Sequence, residues 1–388
     1  MRTPRRRLSL VLLAAFALVA LAAPAASQAA KHRSKPKTRV MTRNLYLGAD
    51  LTPGLQATSL NGLNDAAGEI LNQVGQNKFS TRARGLASEI LGKKPDLVGL
   101  QEAALWRTDT NCHYTLTPTA KHVRYDFIKL LLKRLNRGKR RYKLVVSQNE
   151  FDFETEANTD GSPDHSCDTN VRLTMRDAIL VRLGQHIKLS HKRKGHFKTL
   201  YTPKLIGAIA VPVTRGWVSV QVKKPHAKSF RFVDTHFEAF DSQASNPTND
   251  PQHPTVGNGE VRQAQAQELT AKGGPAAGKR ETILVGDLNS DKKTEVKPGD
   301  GLAYKWLLHV GYRERSAVKP NGCCLNTALL TSPGGGGKVK DFDHKVDHIM
   351  TNTPKRVKLI SSSVTGRKPV HGFWDSDHAG LFSSLRIP

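Results

Sequence analysis

Short apolar runs alternate with helical stripes along most of the chain. "TRVMTRNLYL" (38–47) predicts an opening strand. In "TRARGLASEILGKK", Ala83, Leu86, Ala87, Ile90 and Leu91 recur at the i, i+3, i+4, i+7, i+8 spacing of one helical face, with Ser80 or Thr81 as cap. Pro95 stops that helix, and "DLVGLQE" reads as a strand ending on Glu102. "YDFIKLLLKRL" (125–135) predicts a second amphipathic helix, followed by the strand "YKLVV". From residue 178 the pattern is mostly β: "AILVRL", "GWVSVQV", "FRFVDTHF", "TILVGDLN", "KVDHIM", "RVKLI" and "AGLFSSLRI", with helices at 259–271 and 301–309. Polar stretches at 148–170 and 241–258 predict long loops of the kind that shape sites, and "SPGGGG" (332–337) a short one. Buried strands with flanking helices imply a layered α/β protein. No internal repeat divides residues 38–388, so a single domain is expected there.

The N-terminus departs from this pattern. Arg2, Arg5, Arg6 and Arg7 precede an apolar run from Leu8 to about Ala23, and small residues continue to Ala30. That layout predicts a secretory signal peptide over 1–29, a basic linker over 30–37, and a secreted, extracellular protein. An uncleaved membrane anchor is the weaker reading, because the apolar run is short. In an oxidising compartment, Cys112, Cys167, Cys323 and Cys324 permit two bridges. Cys112 and Cys167 lie in polar loop-like segments and are the favoured pair; the adjacent Cys323 and Cys324 are left open between a bridge and free thiols. The full chain carries 60 basic and 33 acidic residues, a formal charge of +27. "KRLNRGKRR" (133–141) and "HKRKGHFK" (191–198) concentrate it. A field of that sign attracts nucleic acid, anionic headgroups or other polyanions. A solvated lysine-rich surface accounts for the charge equally well, so charge names no substrate.

Several strands end in groups suited to a hard cation or a phosphate. Asn44 ends the first, Glu102 the second, His236 stands in "VDTHFEAF", and Asp287 and Asn289 end "ILVGDLN". Asp347 opens "DHIM", and "WDSDHAGLF" supplies Asp377 and His378. Each alone reads as a turn or cap residue. Their order and setting together weaken that reading. "NLYLGAD", "PDLVGLQE", "DAILVR", "VDTHFEAF", "ILVGDLNSD", "KVDHIM" and "SDHAGL" resemble the successive motifs of the endonuclease/exonuclease/phosphatase superfamily over nearly all of 38–388.

The resemblance implies a four-layer αββα sandwich of two mostly antiparallel sheets flanked by helices, with a divalent-metal phosphodiesterase site at one end. It implies Glu102 as principal ligand of Mg²⁺ (or Mn²⁺ or Ca²⁺), with Asn44 beside it, Asp50 as helper, and Asp377 at a second ion or in the supporting network. Mg²⁺ is hard, prefers oxygen, and is usually held by one or two carboxylates. Asp287 and Asn289 would orient the nucleophile and the phosphate. His378, held by Asp347, would serve as base or water orienter, and His236 would bind the phosphate or assist the leaving oxygen. His348 should face away from Asp347 by strand alternation. Two features depart from the family pattern: Arg176–Asp177 in "DAILVR", and Glu238 and Phe240 after His236. Secretion and charge favour extracellular nucleic acid as substrate. The alternatives are a sphingomyelinase-like phospholipid diesterase, for which Phe373 and Trp374 would be an interfacial edge (core packing is the favoured reading of Trp374), an inositol or nucleotide phosphatase, and a non-catalytic polyanion binder. No feature indicates a protein partner.

Overall fold

The computed structural model describes residues 37–110, 112, 117–207, 209–240, 259–291, 300–317, 319–326, 330, 338–353 and 355–388. The leader at 1–29, linker residues 30–36, the 241–258 loop and "SPGGGG" (332–337) lie outside the described residues. Lys37, expected in the linker, is the first residue of the first strand.

In chain order the N-terminal half runs β1 (Lys37–Asn44), α1 (Thr52–Leu55), α2 (Leu60–Gln76), α3 (Phe79–Lys93), β2 (Leu97–Gln101), β3 (Leu105–Asp109), β4 (His122–Asp126), α4 (Phe127–Leu135), β5 (Tyr142–Ala157) and β6 (Thr169–Arg182). It continues with β7 (Lys188–His196), β8 (Lys204–Leu205), β9 (Ile209–Ala210), β10 (Gly216–Lys223), β11 (Phe230–His236), α5 (Glu260–Thr270) and β12 (Thr282–Asp287). The last elements are α6 (Leu302–His309), β13 (Arg313–Glu314), β14 (Asp347–Thr351), β15 (Lys358–Thr365) and β16 (Gly380–Arg386).

Among the described residues, one sheet has the order β15–β16–β1–β2–β6–β3–β4, with β5 also paired to β6. The second runs β13–β14–β12–β11–β10–β7, and β8 with β9 forms a small hairpin. Pairing is antiparallel except between β1 and β2 in one sheet and between β11 and β12 in the other. Strand alternation sends neighbouring residues into different cores. Val40, Ile179, Val218, Phe232, Val285 and Leu381 fill the space between the sheets. Met41, Leu100 and Leu180 face outward and meet Leu86 and Ile90 of α3 and Phe127 and Leu131 of α4. On the other side Val233, Leu284 and Met350 meet Ala266 and Leu269 of α5 and Leu307 of α6. Each such aliphatic side chain contributes about 1.5–3 kcal/mol by leaving water. The result is the expected αββα sandwich.

Some local expectations change. The polar stretch at 148–170 is mostly strand, since β5 runs to Ala157 and β6 starts at Thr169. Helix α3 starts one turn-residue early, with Lys78 at its N-cap in the left-handed region (φ 44°), so neither Ser80 nor Thr81 caps it. Trp374 packs in the core, the favoured reading, and Phe373 is buried with it, so the pair forms no interfacial edge; Trp374 meets Phe342 edge-on at 5.5 Å. Cys112 and Cys167 are bridged, with Cα atoms 5.9 Å apart. Cys323 and Cys324 are bonded to each other.

Candidate active site

The two parallel pairs bring strand tips to one end of the sandwich. In the first sheet Asn44 is in register with Gln101, so Glu102 begins the turn beside it. In the second, His236, Asp287 and Asp347 share one cross-strand rung of β11, β12 and β14. Residues on one rung point to one face. On the neighbouring rung Gly286 lets β11 and β12 approach closely: a Cβ there would lie 1.9 Å from the Thr235 carbonyl oxygen, and its φ is +148°. Glu102 and Asn289 leave their strands with φ 51° and 45°, turning their side chains back over the tips. Left-handed backbone at such residues is strained and is held by surrounding bonds. Here Leu47 N–H donates to Glu102 Oε2 at 2.8 Å, and Asn289 N–H donates to Asp287 Oδ1 at 2.9 Å.

Asn44 joins the sheets. Its Nδ2 donates to Glu102 Oε1 and to Asp287 Oδ2, both at 3.0 Å. Tyr46 N–H donates to Asn44 Oδ1 at 2.8 Å, which fixes the amide orientation. Asn44 therefore sits where a ligand was expected but turns its nitrogen, not its oxygen, toward the carboxylates.

The two histidines stand in opposite electrostatic settings. Arg215 Nη1 lies 3.1 Å from His236 Nδ1. A guanidinium only donates, so Nδ1 accepts and the ring proton sits on Nε2. Burial first, then Arg215, pushes the His236 pKa down to about 3, so the ring is neutral. Its Nε2 is 3.5 Å from Asp287 Oδ2, with the Asn289 amide 3.2 Å away. His378 Nδ1 is paired with Asp347 Oδ2 at 2.7 Å, while Nε2 lies 3.7 Å from Asp287 Oδ2 and 3.9 Å from Asp377 Oδ1. Burial alone would lower its pKa, but Asp347, Asp377 and Asp287 reverse that and raise it well above the ordinary value. Burial, reinforced by Glu102 and opposed by His378, raises Asp377 to about 7.

Buried arginines hold the loops that carry these groups. Arg82 of α3 donates to the carbonyls of Leu45, Tyr46 and Asp375 at 2.8, 3.1 and 2.9 Å. Arg43 bonds the His378 carbonyl and pairs with Glu89 at 3.0 Å. Arg215 also pairs with Glu238, at 3.2 Å. None of these arginines carries a local sequence signal, because each acts through a partner distant along the chain. Asp50 is not brought in; it accepts from Thr52 N–H at 2.9 Å on the rim of a separate groove. Arg176 reaches the carbonyls of Ala103 and Ala104 and pairs with Asp126, and Asp177 is buried, so neither forms a surface pair with the other. His348 faces away from the rung as expected, bonded to Glu314 at 2.6 Å and near the Ser290 carbonyl at 3.0 Å.

The endonuclease/exonuclease/phosphatase family profile matches residues 70–378. The chain belongs to that family. Among solved structures it is similar to an endonuclease/exonuclease/phosphatase from Bacteroides vulgatus, with 16% identity over 91% of this chain and 100% of that one and a TM-score of 0.50. It is also similar to the human Nocturnin catalytic domain with bound sulfate (16% identity, 91% and 96% covered, TM-score 0.44). D. rerio TDP2 complexed with single-strand DNA product gives 16% identity, 90% and 98% covered, and a TM-score of 0.44. At this identity the likeness is one of fold. No curated protein sequence matches the chain.

Members of this family are hydrolases of phosphoesters and generally use divalent metal ions. The residues at the strand tips fit such an ion. Ligand atoms of Glu102, His236 and Asp287 lie within 4.8 Å of one another, as do those of Asp287, Asp347 and His378. Asp347 Oδ1 is buried and has no hydrogen-bond partner among the described residues. Carboxylate oxygens suit a hard cation, and an orphaned buried oxygen is costly unless something else satisfies it.

Proposed function

We propose that the chain is a secreted, divalent-metal-dependent phosphodiesterase that hydrolyses extracellular nucleic acid, with Mg²⁺ as its natural ion. The observation carrying this reading is the meeting of two carboxylates, Glu102 and Asp287, with a neutral histidine on one side and a carboxylate-held histidine on the other. Glu102 and Asp287 would hold the ion, with Asn44 fixing their separation and Asp377 at the margin. When bound, the ion supplies positive charge at the phosphoryl oxygens. The neutral His236 offers an Nε2–H, and with the Asn289 amide it orients a phosphate oxygen. His378 presents Nε2 to the same space and takes or orients the proton of the attacking water, once charge compensation among the carboxylates relaxes the field that otherwise keeps it protonated. Asp347 fixes the tautomer and direction of that ring.

Nucleic acid is favoured by where the basic charge lies. Strand β7 is an edge strand with Lys188, His191, Lys192, Arg193 and Lys194 all exposed. Its last residue, His196, is in register with Gly216, which is in register with His236. The basic edge thus leads to the site. A groove of about 730 Å³ elsewhere is lined by Asp50, Asp65 and Glu69 and repels a phosphate backbone.

The purified mature protein should cleave DNA or RNA and bis-p-nitrophenyl phosphate with Mg²⁺, and EDTA should abolish both. His378→Ala should cost about 10²–10⁴-fold in turnover, the usual range for a general acid–base group. Cleavage of sphingomyelin alone moves the substrate to phospholipid. Turnover that survives EDTA, or none on any phosphoester, overturns the proposal.

A further inference from the structure

The bonded pair Cys323–Cys324 lies against the inner nitrogen of His378. The two Sγ atoms are 3.6 and 3.8 Å from His378 Nε2, and the three donor atoms lie within 4.8 Å of one another. Cys323 is buried and Cys324 is exposed. Backbone bonds fix this segment independently of the sulfurs. Cys323 N–H donates to His344 O at 3.0 Å and His344 N–H returns to Cys323 O at 2.6 Å. Ala379 N–H donates to Gly322 O at 2.6 Å, and Leu325 N–H to Asp377 O at 3.0 Å. Breaking the sulfur–sulfur bond therefore leaves both sulfurs beside the ring.

We propose that reduction of Cys323–Cys324 creates a second metal site, made of Cys323, Cys324 and His378, for a thiophilic ion of the Zn²⁺ or Cd²⁺ class. Two thiolates and an imidazole are a soft donor set, unlike the oxygens of Glu102 and Asp287. Bond lengths of about 2.3 Å to sulfur and about 2.0–2.1 Å to nitrogen let one ion join atoms this close together. The second ring nitrogen of His378 is already held by Asp347, the carboxylate–histidine arrangement that orients metal-binding imidazoles. In the reduction a dithiol gives two electrons and two protons. The Sγ–Sγ bond breaks, two thiols form, and the dithiol closes to its own disulfide. The ion then displaces the two thiol protons to solvent, and Nε2 contributes its lone pair. A ring bound through Nε2 accepts no proton from water, so hydrolysis stops. This last consequence rests on the phosphodiesterase reading; the binding does not.

The experiment uses the full mature chain, oxidised or reduced with a dithiol that is then removed, with one equivalent of Cd²⁺ and excess Mg²⁺. In the reduced chain Cd²⁺ should shield Cys323 and Cys324 from iodoacetamide, read peptide by peptide, and produce sulfur-to-cadmium absorption. The peptide reading separates them from Cys112 and Cys167. His378→Ala should weaken that binding at least about tenfold, since even indirect supports of a metal ligand cost that much. Equal alkylation of Cys323 and Cys324 with and without Cd²⁺ overturns the site. So does unchanged Cd²⁺ affinity in His378→Ala. Turnover of bis-p-nitrophenyl phosphate should fall only in the reduced, Cd²⁺-loaded chain, and Cys324→Ser should escape that loss. Turnover persisting while both cysteines are shielded overturns the claim that the ion takes His378.

Discussion

Arg215 donates to the ring of His236 and to both oxygens of Glu238, and all three side chains are buried. Arg215 thus reinforces the neutral state that burial gives His236. Replacing Arg215 with Met leaves the Glu238 carboxylate buried and uncompensated, a change that typically costs about 3–5 kcal/mol. Urea denaturation of Arg215→Met should show a loss of that size, and Arg215→Met/Glu238→Gln should recover part of it. Equal midpoints for the single and double variants would show that the pair does not carry the stability. Asp287, Asn289, Asp347 and His378 were legible through their order along the chain and the motifs they stand in, since each alone reads as a turn or cap residue. Arg215 was not, because it reaches His236 only through the register of β10 on β11. The orientation of Asn44 was equally hidden, since a backbone N–H two residues later decides it.

Helix α2 escaped the periodicity because Gly62, Gly68 and Gly75 interrupt its stripe, although Leu63, Ala67, Ile70, Leu71 and Val74 are buried. Gly68 has a reason to be there: a Cβ would stand 1.8 Å from the Asn158 carbonyl oxygen, just beyond the end of β5. Alanine is the better helix former by about 0.5–1 kcal/mol, so propensity alone predicts that Gly68→Ala stabilises. Backbone overlap is the larger effect, and Gly68→Ala should lower the melting temperature; a rise would mean that the strand end yields. Strand β5 was legible in principle, because "FDFETEA" alternates with period two, but its acids resemble a loop. They are polar for a purpose, as Asp152 pairs with Arg172 at 2.6 Å and Glu154 accepts from Ala120 N–H at 2.9 Å. On β7, Lys192→Gln/Lys194→Gln should weaken nucleic-acid binding and reduce its salt dependence by roughly two counterions, with bis-p-nitrophenyl phosphate turnover unchanged. An unchanged salt slope would remove β7 from the path.

Across the whole molecule, buried acids set the response to pH. Burial raises Glu150, Asp177 and Asp234 well above the carboxylate range, and brings Asp375, with Glu89 adding to the effect, to about 9. An unfolded carboxyl titrates near about 4, so above that pH the folded chain holds protons that the unfolded chain has shed. Stability then falls as pH rises. The neutral His236 works in the opposite direction only below its unfolded pKa of about 6.5, while His378, raised well above that value, adds to the fall above it, so from pH 7 to 9 the buried acids and His378 act in the same direction. EDTA-treated protein should melt at a lower temperature at pH 9 than at pH 7, and Asp375→Asn should flatten that slope. A melting temperature that is flat or rises over this window would show those acids already ionised at pH 7. Strand and helix periods marked a layered α/β protein, and the family resemblance supplied the two-sheet sandwich; the buried charge network was legible in neither, because pairing across sheets leaves no periodic mark. Two of those pairings, Asn44 to Asp287 and Gln101 Nε2 to Asp234 Oδ1 at 2.5 Å, run from one sheet to the other. The site therefore works as a vernier between two sliding scales. A slip of one residue, about 3.3 Å along a strand, would part both bonds at once. Chemistry here tolerates only the alignment that the inter-sheet core permits, so a repacked valine far from the phosphate is a change in catalytic geometry as much as in stability.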